Sequence, residues 1–404
     1  MRLVIARALR GLADGFVSVM LASYLLGRGF TAFETGAIVT GTLLGSAFLT
    51  LLVGLGGHRF SRRGLLFASA GLMVATGAGF ALATDFWVIL AVAVVGTMNP
   101  SGGDVSVFLP TEQSILSESA EARDRTSLFA RYNLGGIFAG ALGSLGVALP
   151  VLLAEAGGWP LVEVQRLSFL AYALVGALHL VVYAGVQPDG TSEAPRRAAP
   201  LRESRSIVLR LSALFALDSF GSGFFVQTLL TLWLFQRFDL SIGTTGTIFF
   251  VAGLLSAASQ LGSPWLATRI GLINTMVFTH LPANIFLMLA ALMPNAPLAV
   301  ACLLVRTFFS AMDVPARQSY TMAVVPPEER AAAASVTNVP RSLASAVAPL
   351  IAGAMLSASP GAGGPLLLGG GIKVVYDLLL LWQFRAHPPP EERVASIAAP
   401  PAGP

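Results

Sequence analysis

Charged side chains interrupt stretches of this chain that are otherwise apolar for about twenty residues at a time. They are the acids Asp14, Asp104, Glu112, Asp218, Asp313 and Asp377 and the bases Arg131, Arg306, Arg317, Arg341 and Lys373. Away from water a carboxyl favours its neutral form, so one held in a low-dielectric cavity can load a proton from one side and release it to the other. A guanidinium in the same place can hold an anionic solute or pair with a carboxylate. Left unpaired in an apolar medium, each charge would cost about 3 kcal/mol, roughly 30 kcal/mol for the set. A folded chain has only about 5–15 kcal/mol of net stability. Most of these groups must therefore face a cavity, pair with one another or lie at an interface with water.

The elements that hold them follow from composition. Of 404 residues, 55% are hydrophobic and 11% charged, against roughly 25% charged in a soluble domain, and the mean hydropathy is +0.74. A nucleic-acid binder, a secreted disulfide scaffold and a disordered chain are excluded. The single cysteine, Cys302, and four scattered histidines, His58, His179, His280 and His387, give neither a disulfide nor metal-ligand spacing. No cofactor is expected. Apolar runs long enough to cross a bilayer predict an all-α membrane protein of twelve spans. These are Ala13–Leu26, Thr35–Gly56, Gly64–Ala83, Phe86–Thr111, Leu128–Ala154, Leu167–Val186, Ile207–Phe235, Ser241–Leu266, Leu272–Met293, Ala296–Met322, Ala331–Ala358 and Pro365–Phe384.

Orientation follows from the 25 basic residues, all arginine except Lys373. With the N-terminus inside, Arg28, Arg166 and Arg237 fall outside, and Arg131, Arg306, Arg317, Arg341 and Lys373 fall within spans. The other seventeen, Arg2, Arg7 and Arg10 among them, fall on the cytoplasmic side. Both termini are then cytoplasmic, and the expected location is a bacterial plasma membrane. Residues 187–206, rich in proline and arginine, read as a cytoplasmic linker between an N-terminal half, 1–186, and a C-terminal half, 207–384. Its arginines are placed to meet lipid headgroups, although topology alone explains them. Residues 385–404 read as a disordered tail.

The halves repeat one another. At an offset of 205, Pro110-x-Glu112-Gln113-Ser114 meets Pro315-x-Arg317-Gln318-Ser319, Arg125 meets Arg330 and Asn133 meets Asn338. At an offset of 210, Thr35-Gly36-x-Ile38 meets Thr245-Gly246-x-Ile248 and Arg59 meets Arg269. The five-residue change falls around spans three and four. A parallel repeat after six spans is the organisation of a two-lobed secondary transporter.

Between spans two and three the chain reads Gly54-x-x-x-His58-Arg59-x-Ser61-Arg62-Arg63, and the equivalent connection of the second half carries Thr268-Arg269-x-Gly271. This resembles the loop signature of the major facilitator superfamily, glycine, three residues, aspartate, arginine, any residue, glycine and two basic residues. The family's aspartate is His58 here and its glycine is Ser61. The resemblance implies that this loop helps close a cytoplasmic gate, which in this chain leans on Arg59, Arg62 and Arg63, since a cation at position 58 is disfavoured at a helix N-terminus. Inside-positive anchoring is an equally good reading of those arginines. The resemblance also implies that Glu112, at the cytoplasmic end of span four, is met by Arg59 or Arg63. Arg317, at the matched position, cannot pair with Arg269 and is assigned to Glu328 or Glu329.

Asp14 and Asp218 lie in the first span of each half, which lines the central cavity in that family, and both are candidates for proton coupling. A carboxylate sealing a helix end is the other reading of Asp14. Asn99-Pro100-Ser101-Gly102-Gly103-Asp104 breaks span four in mid-membrane, which backbone tolerates beside a cavity or protein neighbours, and puts Asn99 and Asp104 forward for substrate contact. Arg306 and Asp313 are further substrate candidates, although Asp313 and Arg317 share a helix face and so do Lys373 and Asp377, giving intrahelical salt bridges as the plain account. Gly135, Gly136, Gly140, Gly143 and Gly146 in span five permit close helix packing. The chain thus reads as a monomeric secondary carrier of a small organic solute, most simply a proton-coupled exporter. Uptake or uniport, lipid movement and a transporter-like sensor share the same fold.

Overall fold

A computed structural model describes residues 1–56, 60–102, 108–118, 122–186 and 201–385. Sixteen α-helices carry nearly all of them, and no strand occurs among the described residues. In chain order these are α1 (Arg2–Gly27), α2 (Ala32–Gly56), α3 (Arg62–Leu82), α4 (Phe86–Val95), α5 (Phe108–Glu118), α6 (Ala122–Leu145), α7 (Ala148–Gly157) and α8 (Leu161–Ala184). There follow α9 (Arg205–Gly223), α10 (Gln227–Phe238), α11 (Ile242–Ile270), α12 (Leu272–Leu292), α13 (Ala296–Ser310), α14 (Asp313–Ala323), α15 (Arg330–Ala358) and α16 (Gly364–Phe384). Ten continuous or once-broken helices among the described residues are long and apolar enough to cross a membrane. With α1, and with the α4–α5 pair, they make twelve.

Four of the predicted spans are broken, at α4–α5, α6–α7, α9–α10 and α13–α14. Apolar composition runs on through each break, so hydropathy signals only the first, through Pro100 and its glycines. There α4 stops at Gly96, and Gly102 takes a left-handed φ of 67°, open to glycine without strain. Span one is longer than its apolar core. It begins at Arg2, not Ala13, because Arg7 and Arg10 are buried within α1 and do not lie on a cytoplasmic loop.

The repeat reappears in helix boundaries. Shifted by 210 residues, α3 falls on α12 at both ends, and the starts of α2 and α4 fall on those of α11 and α13. Shifted by 205, α5 falls on α14 at both ends. The five extra residues of the first half therefore lie between the starts of α4 and α5, at the break in span four.

The chain forms two compact units. Unit 1 comprises Met1–Ala194, Gly223–Leu254 and Ser345–Pro365, and unit 2 comprises Pro195–Ser222, Leu255–Ala344 and Leu366–Pro404. In unit 1, α1 lies on α6 along glycines. A Cβ at Gly15 would fall on the Gly140 carbonyl oxygen, and one at Gly143 on the Leu12 carbonyl oxygen. The span-five glycines thus let two backbones touch, and Tyr24, Phe80 and Phe169 pack nearby with ring centroids 4.9 and 5.1 Å apart. Segments of the second half complete this unit. Gly36 of α2 meets Pro349 and Gly353 of α15, and the Thr228 hydroxyl of α10 lies 2.7 Å from the Ser18 carbonyl oxygen and 3.0 Å from that of Pro100. Unit 2 has its own core, with Leu211, Phe215, Met276, Tyr320, Tyr376 and Phe384 drawn from α9, α12, α14 and α16.

Candidate functional site

Each unit holds a buried cluster of charge. In unit 1, Arg10 of α1 grips Glu112 of α5 with both terminal nitrogens, at 3.1 and 2.6 Å. The hydroxyls of Tyr132 (α6) and Tyr183 (α8) each donate to the same carboxylate at 2.5 Å. Glu112 is 0% and Arg10 2% exposed, and the Arg10 guanidinium also lies 4.8 Å over the Phe108 ring. With its charge matched and four donors aimed at it, this carboxylate is a fixed ion. Among the described residues its cation is Arg10 and not Arg63, while Arg59 lies outside them. Arg63 donates to the Ala184 carbonyl at the end of α8 (3.0 Å) and stacks on Phe67. Glu112 is closed off from water by these partners.

One helical turn beyond Arg10, Asp14 is 6% exposed and its Oδ1 has no hydrogen-bond partner. No Arg, Lys or His nitrogen lies within 4 Å of it among the described residues. The Asn99 side chain lies beside the carboxyl, and its Oδ1 accepts from the Ser101 N–H (3.1 Å) and hydroxyl (2.6 Å). Two predicted site residues far apart in sequence are thereby brought together by the break after α4. Asp104, the third of that group, lies outside the described residues.

In unit 2 the matched cluster has the opposite polarity. Asp218 of α9 accepts from Lys373 of α16 at 2.6 Å and from Arg317 of α14 at 3.2 Å, and His280 of α12 lies 3.7 Å away. Arg317 also holds Asp313 one turn back at 3.4 Å. So Arg317, which occupies the repeat position of Glu112, pairs with the first span of its half as Glu112 does, and not with Glu328 or Glu329. Glu329 instead accepts from the N–H groups of Arg202, Glu203 and Ser204 and from the Ser204 hydroxyl, at the N-terminus of α9. Lys373 and Asp377 do not bridge each other. Lys373 turns to Asp218 and Ser222, and Asp377, fully buried, takes bonds from His280 and Asn284 at 2.8 Å each. The predicted intrahelical bridge loses because longer-range partners face each end more directly. Arg306 of α13 lies in the electrostatic field of Asp218.

Of the other gating candidates, Gly54 lies in α2, and His58 and Arg59 lie outside the described residues. Arg62 opens α3 behind the Ser61 cap, whose hydroxyl accepts from the Gly64 N–H at 3.0 Å. Arg269 is exposed and rests 4.4 Å over the Trp265 ring of its own helix. Sequence reasoning missed Arg10, Tyr132, Tyr183, His280 and Asn284. A polar residue inside an apolar run marked four of them, and Arg10 was hidden by counting it as a loop anchor.

The sequence pattern of the Major Facilitator Superfamily matches residues 3–339. An uncharacterized membrane protein of Saccharomyces cerevisiae is 24% identical, across 93% of this chain and 92% of its own length. The multidrug efflux protein YfmO of Bacillus subtilis is 25% identical, across 92% of this chain and 84% of its own. Among solved structures, a D-xylose-proton symporter superposes with a TM-score of 0.74 at 16% identity, covering 95% of this chain and 97% of that one. Span count, repeat, broken helices and sequence pattern agree: the chain is a multi-pass membrane protein that belongs to the Major Facilitator Superfamily, a family of transporters.

Proposed function

We propose that this protein is a secondary active transporter that moves a small organic solute by alternating access and exports it against proton entry. It acts as a monomer in a bacterial plasma membrane, with both termini cytoplasmic, and draws on the proton gradient with no cofactor. The observation that carries the coupling is Asp14. It is a buried carboxyl with an unpartnered oxygen, no cation in pairing distance among the described residues and Asn99 beside it. Of the two first-span acids, Asp218 is held as an ion by Lys373 and Arg317 and serves as a fixed charge. Asp14 alone is left able to gain and lose a proton without breaking an ion pair.

Alternating access needs contacts that form and part as one. The closures of Gly36 on Gly353 and of Thr228 on Ser18 and Pro100 join first-half helices to second-half segments through small groups and few hydrogen bonds. Such a seal can open without stranding buried charge. The likeness to a multidrug efflux protein supports export as the direction. The test is proton flux in acid-inside inverted vesicles challenged with cations, amphipathic drugs, sugars and organic acids. A compound that collapses the pH gradient only in vesicles carrying the wild-type protein supports the reading. Silence across the panel, with the protein present and folded, would reject proton-coupled export.

A further inference from the structure

Resting on the transporter reading above, one cation of unit 2 has a use that ion pairing does not supply. The spans of this unit hold Arg306, Arg317, Arg341 and Lys373 against Asp218, Asp313 and Asp377. Lys373 and Arg317 are matched to Asp218 and Asp313, and Asp377 is taken by His280 and Asn284. Arg341 of α15 meets no carboxylate within 4 Å among the described residues. Its Nε donates to the Ser219 hydroxyl at 3.2 Å and its Nη1 to the Asn338 side-chain oxygen at 3.4 Å, both neutral acceptors. Arg317 lies near enough for the two positive charges to act on each other, while Asp218 and Asp313, which also act on Arg341, are already engaged by Lys373 and Arg317. Ser219 neighbours Asp218 in sequence, which ties the orientation of this guanidinium to the fixed ion cluster.

Depth points the same way. Arg341 lies nine residues beyond Ala332, where the apolar span Ala332–Ala358 begins. At about 1.5 Å per residue this is about 14 Å along the helix, roughly a third of the way along that 27-residue span. A surface anchor would sit at the end of its span. A guanidinium oriented by two neutral bonds, with further N–H donors to spend, presents the fork that matches a carboxylate.

We propose that Arg341 binds the anionic group of the transported solute, and that this solute is an organic monocarboxylate. Arg341 is one cation with no described carboxylate within 4 Å, and its planar fork matches the two oxygens of a single carboxylate. Ser219 and Asn338 position the guanidinium, and Arg317 adds to the field without surrendering its own carboxylates.

The test is binding to the purified full-length chain, read by thermal shift, with monocarboxylates from acetate to decanoate beside the matched amides and amines. At least one carboxylate should stabilise the wild type and its amide and amine should not. Arg341→Gln should weaken that carboxylate at least tenfold, and Arg341→Lys, which keeps charge without the fork, should fall between. Arg341→Gln protein that elutes as a single species with the wild-type melting profile shows that folding is intact. If it does not, the Arg341→Lys protein carries the comparison. Equal binding of carboxylate and amide, or undiminished carboxylate binding by a folded Arg341 variant, overturns the proposal. Carboxylate binding by the wild-type chain without proton flux would keep this site and reject only the coupling.

Discussion

Arg10 and Glu112 offer the sharpest check on how charge is held in this membrane protein. Replacing Arg10 by Met keeps most of the side-chain length and removes the guanidinium, leaving Glu112 fully buried with only the Tyr132 and Tyr183 hydroxyls. Breaking one partner of a buried pair costs about 3–5 kcal/mol, because the remaining ion stays desolvated and uncompensated. The two tyrosine bonds soften this, so the lower end, about 3 kcal/mol, is expected. Adding Glu112→Gln removes the stranded charge and keeps an oxygen for both hydroxyls. Replacing both partners of a buried pair is often close to neutral. The double variant should therefore recover most of the loss and unfold nearer the wild type than Arg10→Met does. The assay is thermal unfolding of wild type, both single variants and the double variant in one detergent, completed as a double-mutant cycle. A double variant no more stable than Arg10→Met would show that the pair is not the reason these two residues are tolerated in the membrane.

Other outcomes follow from the same geometry. Asp218→Asn strands Lys373 and loosens Arg317, so it should destabilise by about 3 kcal/mol or more, whereas Asp14→Asn, which breaks no ion pair, should change the melting point little; equal effects would contradict the assignment of fixed and titrating acids. Gly36→Val puts a branched side chain where Pro349 and Gly353 touch the α2 backbone, and should raise labelling of a cysteine placed at the adjoining buried Ala352; unchanged labelling would mean that this contact is not a gate. Glu329 is held down to about 2 by the Ser204 hydroxyl and the N–H groups of residues 202–204. A depressed carboxylate contributes its stabilisation above its unfolded value of about 4.5 and loses it as pH falls through the folded value. Protection of the Ser204 amide against hydrogen exchange should thus persist at pH 4 and fade toward pH 2, and Glu329→Gln should weaken it at all pH values. Loss by pH 4 in the wild type would contradict this.

Span count, repeat and family were legible because each rests on many residues at once. Twenty apolar residues define a span whatever it packs against, and a fixed offset of polar matches survives local divergence. Asp14 with Asn99 was legible in part, since each stood out as polar in an apolar run, but their contact depends on the turn after α4. Pairing was not legible. The i,i+4 rule correctly joined Asp313 to Arg317 and wrongly joined Lys373 to Asp377, because helix spacing says which groups share a face and not what the next helix presents. Arg10 shows the second cause. Its position before the apolar core made it a loop anchor by composition, yet a buried acid on α5 extends the helix back to Arg2. Had α1 been started there, the Arg10–Glu112 and Asp218–Arg317 pairs would have read as one motif with the charges exchanged.

The central claim is that Asp14 carries the coupling proton while the solute path is otherwise intact. Its most direct test compares solute counterflow, which needs no net proton movement, with uphill transport driven by a pH gradient, in proteoliposomes of wild type and Asp14→Asn. The account predicts that Asp14→Asn retains counterflow and loses gradient-driven accumulation. Gradient-driven accumulation by Asp14→Asn at the wild-type level would contradict it.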